Sequence, residues 1–431
     1  MQYPLIKKIG LRNYKNLTIN DALELHNLNI FIGPNCCGKS NLIALFNFLK
    51  ECVTTGIDIE LTGLEVALDR LGGGKILDGK MARPNRVHFE FQFSQTKEIN
   101  GSILELELDI PSDGRRVAVF QELLRSVTSD SPTVQPFYYY KCHQKSGKVV
   151  ISTNVEPNQE GSHFFHLDNV PIDDLALISI TQSLEKTRIP PEKVQLYKIR
   201  RPLIETFAKW RFYNANHMNL HKVRNNEPKI GGSEVLLSAF GENLPLVLFN
   251  LSNKYLDFEE NINNAMKTIL PTTRRVRSIP SGRLGLTIEW YFEDIQEPFY
   301  LNEMSDGAVR MLCWAVILNS PLLPPLLVID EPELGLHVAW MNALAAWIKK
   351  AARKTQVIVT THSPDLLDHF TDHLEDVLCF CREKDHFTPQ HLSQQQLSNA
   401  LKEGWQLGDL YRVGDPDIGG SDKILGKHLL R

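Results

Sequence analysis

The sequence predicts an α/β protein in which helices and strands alternate around a parallel sheet, and three observations carry that prediction. Within the first 50 residues an apolar strand, a glycine-bearing loop and a helix follow one another. From residue 305 onward apolar strands and helical segments alternate again, the pattern of a parallel sheet covered on both faces. Between these ends the pattern changes to alternating strands and then helices. The middle therefore reads as an insertion, and the two ends of the chain must meet to complete one α/β domain.

Composition narrows the class further. At 431 residues the chain can bury a sizeable core in two or three lobes. A net charge of −4 argues against a binder of polyanions along the whole chain, though not against a local basic patch. The N-terminus "MQYPLIKKIG" lacks the apolar core of a secretory signal. The most apolar window, "LCWAVILNSPLLPPLLVID", is broken by Asn319, Ser320 and three prolines, so no membrane span is expected. Seven cysteines without framework spacing fit free thiols and a cytoplasmic location.

Taken in order, "IKKIGLRNYKNLTI" has the β-branched and aromatic character of a strand or hairpin, "LNIFIG" reads as a short buried strand, and "KSNLIALFNFLKEC" spaces apolar residues as a helix does. Between about 85 and 155, "VHFEFQF", "SILELELDI", "PFYYYKC" and "KVVIST" alternate as antiparallel strands with one face in water. Residues 172–270 read as mainly helical, most clearly in "PLIETFAKWRFY" and "SEVLLSAFGENLPLVLFNLSNKY". Strand character returns in "GRLGLTIEWYFEDIQEPFYL". Then come a helix ("DGAVRMLCWAVILN"), a buried strand ("PLLVIDE"), a helix ("AWMNALAAWIKKAARK"), a strand ("QVIVTTH"), "PDLLDHF" and the strand "DVLCFCRE". Prolines scattered from 111 to 245 exclude one long coiled coil across the middle. The expected division is 1–95 for the first lobe, 96–300 for the inserted β and helical lobe, 301–392 for the second lobe, and 393–431 for a C-terminal tail.

Four motifs carry chemistry. "GPNCCGKS" fits G-x-x-x-x-G-K-[ST] through Gly33, Gly38, Lys39 and Ser40, and lies between an apolar strand and a helix, as the motif requires. Backbone N–H groups from Gly33, Pro34, Asn35, Cys36, Cys37, Gly38 and onward to Asn41 (proline excepted) line a phosphate cradle at a helix N-terminus. Lys39 adds a point charge, and the Ser40 hydroxyl is a ligand for Mg²⁺. "LLVIDEPELGLH" ends a buried strand in Asp330 and Glu331, at the sheet edge where open α/β folds bind ligands. Asp330 is expected to hold Mg²⁺ through water, and Glu331 to orient or deprotonate the attacking water. "VIVTTHSPDLL" places His362 at the end of another strand, in reach of a γ-phosphate. In "LNEMSDGAVRML", Ser305, Asp306 and Gly307 open a helix. Capping explains the local chemistry of Ser305 or Asp306 completely; the functional reading is that this helix start faces a nucleotide held by a second copy.

These motifs, in this order, resemble the ATP-binding-cassette class of P-loop ATPases, and among them the RecF/SMC-like and OLD-like AAA-type ATPases of bacterial DNA repair and anti-phage defence. The likeness lies in residues 3–50 and 300–370. It includes "IGLRNYKNL", the S-D-G signature at 305–307, D-E-P-E-x-G-L-H from Asp330 to His337, and T-H-S-P from Thr361 to Pro364, with "GENLPLVLFNL" a looser match. The resemblance implies an ABC-type ATPase head, with an antiparallel β subdomain and a largely helical inserted lobe. It implies ATP and Mg²⁺ as cofactors, and a homodimer or larger homo-oligomer in which Ser305 and the Gly307 amide reach the nucleotide of the other copy. It further implies a separate effector, a nuclease or toxin, since the chain shows no effector domain of its own. The other reading is a RecF-like DNA-binding repair ATPase. A glutamine linking the lobes is expected, with Gln92 and Gln95 as candidates. Val338 stands where the group has proline. Cys36 stands where glycine or asparagine is usual, which implies a left-handed cysteine carrying about 1–2 kcal/mol of strain. A redox role for Cys36 and Cys37 is the lesser reading, because the backbone rather than the thiols would hold phosphate.

Three further signals are set aside. Cys379, Cys381, His386 and His391 include no C-x-x-C pair and read as core and surface residues rather than a zinc site. Asp415 and Asp417 lie among glycines and read as a surface loop. Arg274, Arg275, Arg277 and Arg283 form a basic cluster that would serve a nucleic acid or an acidic partner, against the commoner reading of a solvated face.

Overall fold

In the computed structural model the described residues are 3–54, 62–78, 86–96, 101–110, 118–127, 137–143, 147–153, 163–187, 194–414 and 418. Asp415 and Asp417 lie outside them. The chain forms two compact units, each assembled from separated segments: residues 1–26, 35–210 and 380–390 in the first, and 27–34, 211–379 and 391–431 in the second.

The first unit is built on antiparallel strands. Ile6–Tyr14 and Leu17–Glu24 form a hairpin, and Ile6–Tyr14 also pairs with Arg86–Phe93. Ser102–Asp109, Ala118–Ser126, Tyr138–His143, Lys148–Thr153 and His163–Leu167 follow, each antiparallel to the one before. The alternation in "RVHFEFQF" is realised residue by residue, with Val87, Phe89, Phe91 and Phe93 buried and their neighbours half-buried. Tyr14 meets Phe89 edge-on at 5.4 Å, and Phe93 lies 5.4 Å from Phe207 of the helix Leu196–Lys209. The helix Lys39–Thr54 buries Leu42, Leu45, Phe46, Phe48, Leu49 and Cys52, the 3.6-residue stripe expected of a helix on a core.

The second unit holds a parallel sheet in the order Arg211–Asn214, Leu326–Asp330, Gln356–Thr360, Leu28–Ile32 and Val377–Cys379, the last being the start of the strand Val377–Glu383. Leu28–Ile32 and Gln356–Thr360 are buried at every position, as strands covered on both faces must be. Helix Phe258–Ile269 buries Phe258, Ile262, Ala265, Met266 and Ile269. A three-stranded antiparallel sheet, Thr273–Ser281, Gly285–Phe292 and Phe299–Tyr300, completes the unit before helix Asp306–Leu318. Among the described residues no helix is long and apolar enough to cross a membrane.

Two expectations need correcting. The helix expected over 233–255 forms only at Leu244–Lys254, because Ser233–Gly241 is loop, fixed in part by Asn243, which accepts from Ser238 N at 2.8 Å. In "PLIETFAKWRFY" the helix stops at Lys209, and Arg211–Asn214 is a strand, since Phe212 and Tyr213 pair in register with Val328 and Ile329.

Candidate nucleotide site

The phosphate loop begins where the buried strand Leu28–Ile32 ends. Gly33 and Gly38 take φ of 143° and 106°, values that a side chain disfavours. A Cβ on Gly38 would lie 2.5 Å from the Leu17 side chain, so glycine is required there on two counts. Cys36 has φ 64°, the left-handed conformation expected of it. Its carbonyl accepts from Asn16 Nδ2 at 2.8 Å, and Asn41 Nδ2 donates to Asn16 Oδ1 at 2.8 Å. Tyr14 donates to the Asn41 carbonyl at 2.9 Å, and Lys15 Nζ to Asn41 Oδ1 at 3.2 Å. The hairpin turn thus clamps the loop and the first turn of its helix.

Lys39 is buried with Nζ 3.6 Å from Cys37 Sγ, while Asn35, Cys36 and Ser40 are exposed. No acidic residue occupies the first turn of helix Lys39–Thr54, so nothing on that turn cancels the positive field of its N-terminus. The loop therefore fits a bound phosphate chain. Burial pushes the Cys37 thiol up, the direction opposite to that of an activated thiolate.

In the second unit, the carboxyl edge of the parallel sheet gathers the acids. Asn214, Asp330 and Thr360 stand side by side in register. Asn214 Nδ2 donates to Asp330 Oδ2 at 2.6 Å, and the Thr360 hydroxyl donates to Asp330 Oδ1. Glu331 follows with φ 51°, its N–H bonded to the Thr360 carbonyl at 3.1 Å. Strain of order 1–3 kcal/mol at a non-glycine residue of this kind clusters at functional sites. The Glu331 carboxylate accepts from Asn216 Nδ2 at 3.4 Å and lies 3.8 Å from His362 Nε2. An acid capable of taking a proton from water and an imidazole thus share one edge. Such an edge, with Asp330 braced on both oxygens, fits a hydrated Mg²⁺ and an attacking water.

Glu333 has a different duty. It is half-buried, its carboxyl is raised by burial, and its Oε1 accepts from the Thr361 hydroxyl at 2.7 Å and from His362 N at 2.9 Å. It therefore fixes the backbone that presents the histidine.

At the signature, Ser305 accepts from Ala308 N and caps helix Asp306–Leu318, as expected. Ser305 and Asp306 are exposed, and Arg224 holds Asp306 at 2.5 Å while donating to the carbonyls of Leu301 and Met304. A Cβ on Gly307 would lie 2.9 Å from the Trp340 ring. Val338, where proline is usual, is an exposed residue of the short 3₁₀ turn Val338–Trp340.

The sequence reading missed Asn214, Asn216, Glu333 and Asn16. Glu333 and Asn16 sit inside motifs already quoted, so their polarity beside functional residues was the available signal. Asn214 and Asn216 had none, because the strand that carries Asn214 was read as helix.

The other candidates disperse. Arg275 pairs with Glu259 at 2.6 Å, Arg277 with Glu289 at 2.9 Å, and Arg274 lies over the Tyr291 ring at 5.2 Å, so these charges are largely engaged within their own unit; Arg283 is exposed in the following turn. Cys379 is a buried strand residue, His386 pairs with Asp78, and His391 Nδ1 lies 2.8 Å from the Glu375 carbonyl. Gln92 is half-buried on the strand Arg86–Phe93, and Gln95 is exposed beyond its end.

Comparison with known proteins speaks to the fold. Residues 167–368 match the family described as "AAA domain, putative AbiEii toxin, Type IV TA system". An SMC head bound to the C-terminal winged-helix domain of ScpA aligns over 91% of this chain and 99% of its own, with TM-score 0.54 and 12% identity. An SMC head from Pyrococcus furiosus aligns over 93% and 99%, with TM-score 0.48 and 12% identity. The SMC head of Thermotoga maritima aligns over 90% and 99%, with TM-score 0.43 and 12% identity. No curated protein sequence matches the chain. Only the first of these heads is close enough to speak to the fold, and it does so without speaking to a partner. Residues 167–368 thus carry the match to the AAA-domain family, and the first SMC head shows that the chain shares the fold of that head.

Proposed function

We propose that the chain is the ATP-driven regulatory subunit of an anti-phage defence system, joining copies of itself through shared nucleotide sites and controlling a separate nuclease or toxin. The observation that carries the ATP-driven part is the Asp330–Glu331 pair, one acid braced on both oxygens and the next held in a strained backbone beside His362. MgATP, when bound, supplies the phosphoryl group whose hydrolysis resets the switch. Lys39 and the N–H groups of the loop would bind phosphate, and Ser40 and Asp330 would hold the metal, Asp330 through water. Glu331 accepts the proton of the attacking water, and His362 answers to the terminal phosphate. Ser305 and the Gly307 N–H of a second copy complete the site, so that ATP holds the copies together and its loss frees them. A ligand moves such an equilibrium only through its differential affinity for the two states.

The description of the matched family, a toxin of a toxin–antitoxin system, supports a defence setting. The repair-clamp reading draws less support, since Arg275 and Arg277 are already paired with carboxylates. The test is purification of the chain from its own gene neighbourhood, with phosphate release from ATP followed in parallel. Mg²⁺-dependent release together with a second, stably bound protein is the expected result. DNA binding that falls steeply with salt, and is lost when Arg274, Arg275 and Arg277 are changed to Ala, would replace this reading with the repair clamp.

A further inference from the structure

Residues 230–243 join the bridge at Lys229 to helix Leu244–Lys254 with neither helix nor strand between. Loops beyond about 12–15 residues without regular structure are uncommon in compact domains and usually functional. This one is pinned to the protein beneath it, and every anchor grips a carbonyl. Asn250 Nδ2 donates to the carbonyls of Gly232 and Glu234 at 3.0 and 2.8 Å, and Asn243 Nδ2 to that of Leu236 at 3.2 Å. The Tyr213 hydroxyl donates to the Leu237 carbonyl at 2.8 Å. A Cβ on Gly232 would lie 2.7 Å from the Leu246 side chain, so the backbone rests directly on the helix.

The anchors leave the donors over. Among the described residues, the N–H groups of Ser233, Glu234, Val235, Leu236 and Leu237 have no partner in the chain, nor do the carbonyls of Ser233 and Val235. The segment borders a groove of about 830 Å³, within the size range of ligand pockets. Its wall mixes apolar Val235, Leu236 and Leu246 with charged groups. Arg211 on that wall is already engaged. Among the described residues, Glu234 and Glu242 line the groove without an ion pair, against one such cation, Lys229. One oxygen of Glu242 is also buried without a donor. Unpaired main-chain groups at an open edge accept an added strand, and a buried carboxylate oxygen without a donor is stabilised by gaining one.

We propose that this groove binds an extended peptide segment of a partner protein, its main chain pairing with Ser233 and Val235 and a Lys or Arg side chain meeting Glu234 and Glu242. That the partner is the separate effector rests on the reading above; the groove itself does not. Short random peptides displayed on phage and panned against the native chain test it. The expected result is enrichment of sequences with Lys or Arg beside apolar residues, and a synthetic peptide of enriched sequence should slow hydrogen exchange at the amides of 233–237. Glu242→Gln should weaken that peptide about tenfold, the loss of one charged hydrogen bond, and Val235→Pro, which removes a donor, by a similar factor. Glu234→Lys, at an exposed position where folding is not at stake, should turn the selection toward Asp and Glu. No enrichment over a bare surface, protection confined to residues outside 233–237, or an unchanged selection by Glu234→Lys overturns the proposal. In a complex with a co-purified protein the same amides should be protected. Protection elsewhere in that complex, or no co-purifying protein, overturns the effector assignment, while the peptide still decides the groove.

Discussion

Asn214 donates to Asp330 at 2.6 Å from the neighbouring parallel strand, and with Thr360 on the other side it leaves neither oxygen of that carboxylate without a donor. Hydrogen bonds to a charged group contribute about 1.5–3 kcal/mol each, roughly twice a neutral pair. Two of them fix the orientation of Asp330, which in the proposed mechanism would face a hydrated metal. Asn214→Ala should therefore raise the Mg²⁺ concentration for half-maximal ATP hydrolysis about tenfold, since about 1.4 kcal/mol is a factor of ten. A titration of turnover against free Mg²⁺ checks it, and an unchanged midpoint would leave Asn214 a structural residue.

In the proposed mechanism Glu331 takes the proton from water, so Glu331→Gln should lower turnover about 10²- to 10⁴-fold while ATP binding persists. Lys39→Ala should do the reverse and lose binding first. Equilibrium binding of a fluorescent ATP analogue beside phosphate release separates the two. Equal turnover in Glu331→Gln and native protein would remove it from the reaction.

Cys36 is held at φ 64° with its carbonyl bound by Asn16. Cys36→Gly should relieve strain and stabilise the fold by about 0.5–1 kcal/mol, less than the full strain because glycine also loosens the unfolded chain. The urea midpoint is the measurement. Phosphate release should survive both Cys36→Gly and Cys37→Ser, since in the proposed mechanism the backbone rather than the thiols binds phosphate; its loss in both would restore a thiol role.

Glu122 gives the stability a pH dependence. It is fully buried on the strand Ala118–Ser126 and accepts from Tyr140 at 2.5 Å and from the N–H groups of Ala176 and Leu177 at 2.7 and 2.9 Å. It thereby caps helix Ala176–Glu185, whose own N-cap Leu175 offers no side-chain acceptor. Burial outweighs these donors and pushes its carboxyl up to about 7. The folded state then binds the proton more tightly than the unfolded one, so this stability is fully present below the ordinary carboxyl range and is lost as pH rises through about 7. Asp174, raised by burial to about 6, acts in the same direction. Denaturant unfolding from pH 4 to 8 should show stability falling with pH through this window, and Glu122→Gln should flatten the slope. An unchanged slope in that variant would place the effect elsewhere.

Much of this was legible because certain chemistry tolerates few residues. A loop that wraps phosphate needs Gly33, Gly38, Lys39 and Ser40 at fixed spacing, and a buried strand ending in Asp330–Glu331 stands out against four apolar neighbours. Alternation gave the antiparallel strands for the same reason, because one face must be apolar. Arg211–Asn214 was hidden because four residues are too few to show a period, and they follow a helix without a glycine or proline between. The approach of the Tyr411 hydroxyl to His362 Nδ1, at 3.3 Å, was hidden because the two lie 49 residues apart, and no local pattern records a contact made by folding. The first half of the helix expected over 233–255 shows the opposite error: apolar residues at helical spacing are outweighed by Asn243, whose side chain satisfies Ser238 N and the Leu236 carbonyl in a loop.

The most direct test of the account is the native mass of Glu331→Gln, which should bind ATP without releasing it, measured with and without MgATP. A shared nucleotide site predicts one copy without nucleotide and at least two with it, and the increase should vanish when Ser305→Arg blocks the signature. One copy in both states would contradict the shared site and leave an ATPase whose output does not depend on joining copies.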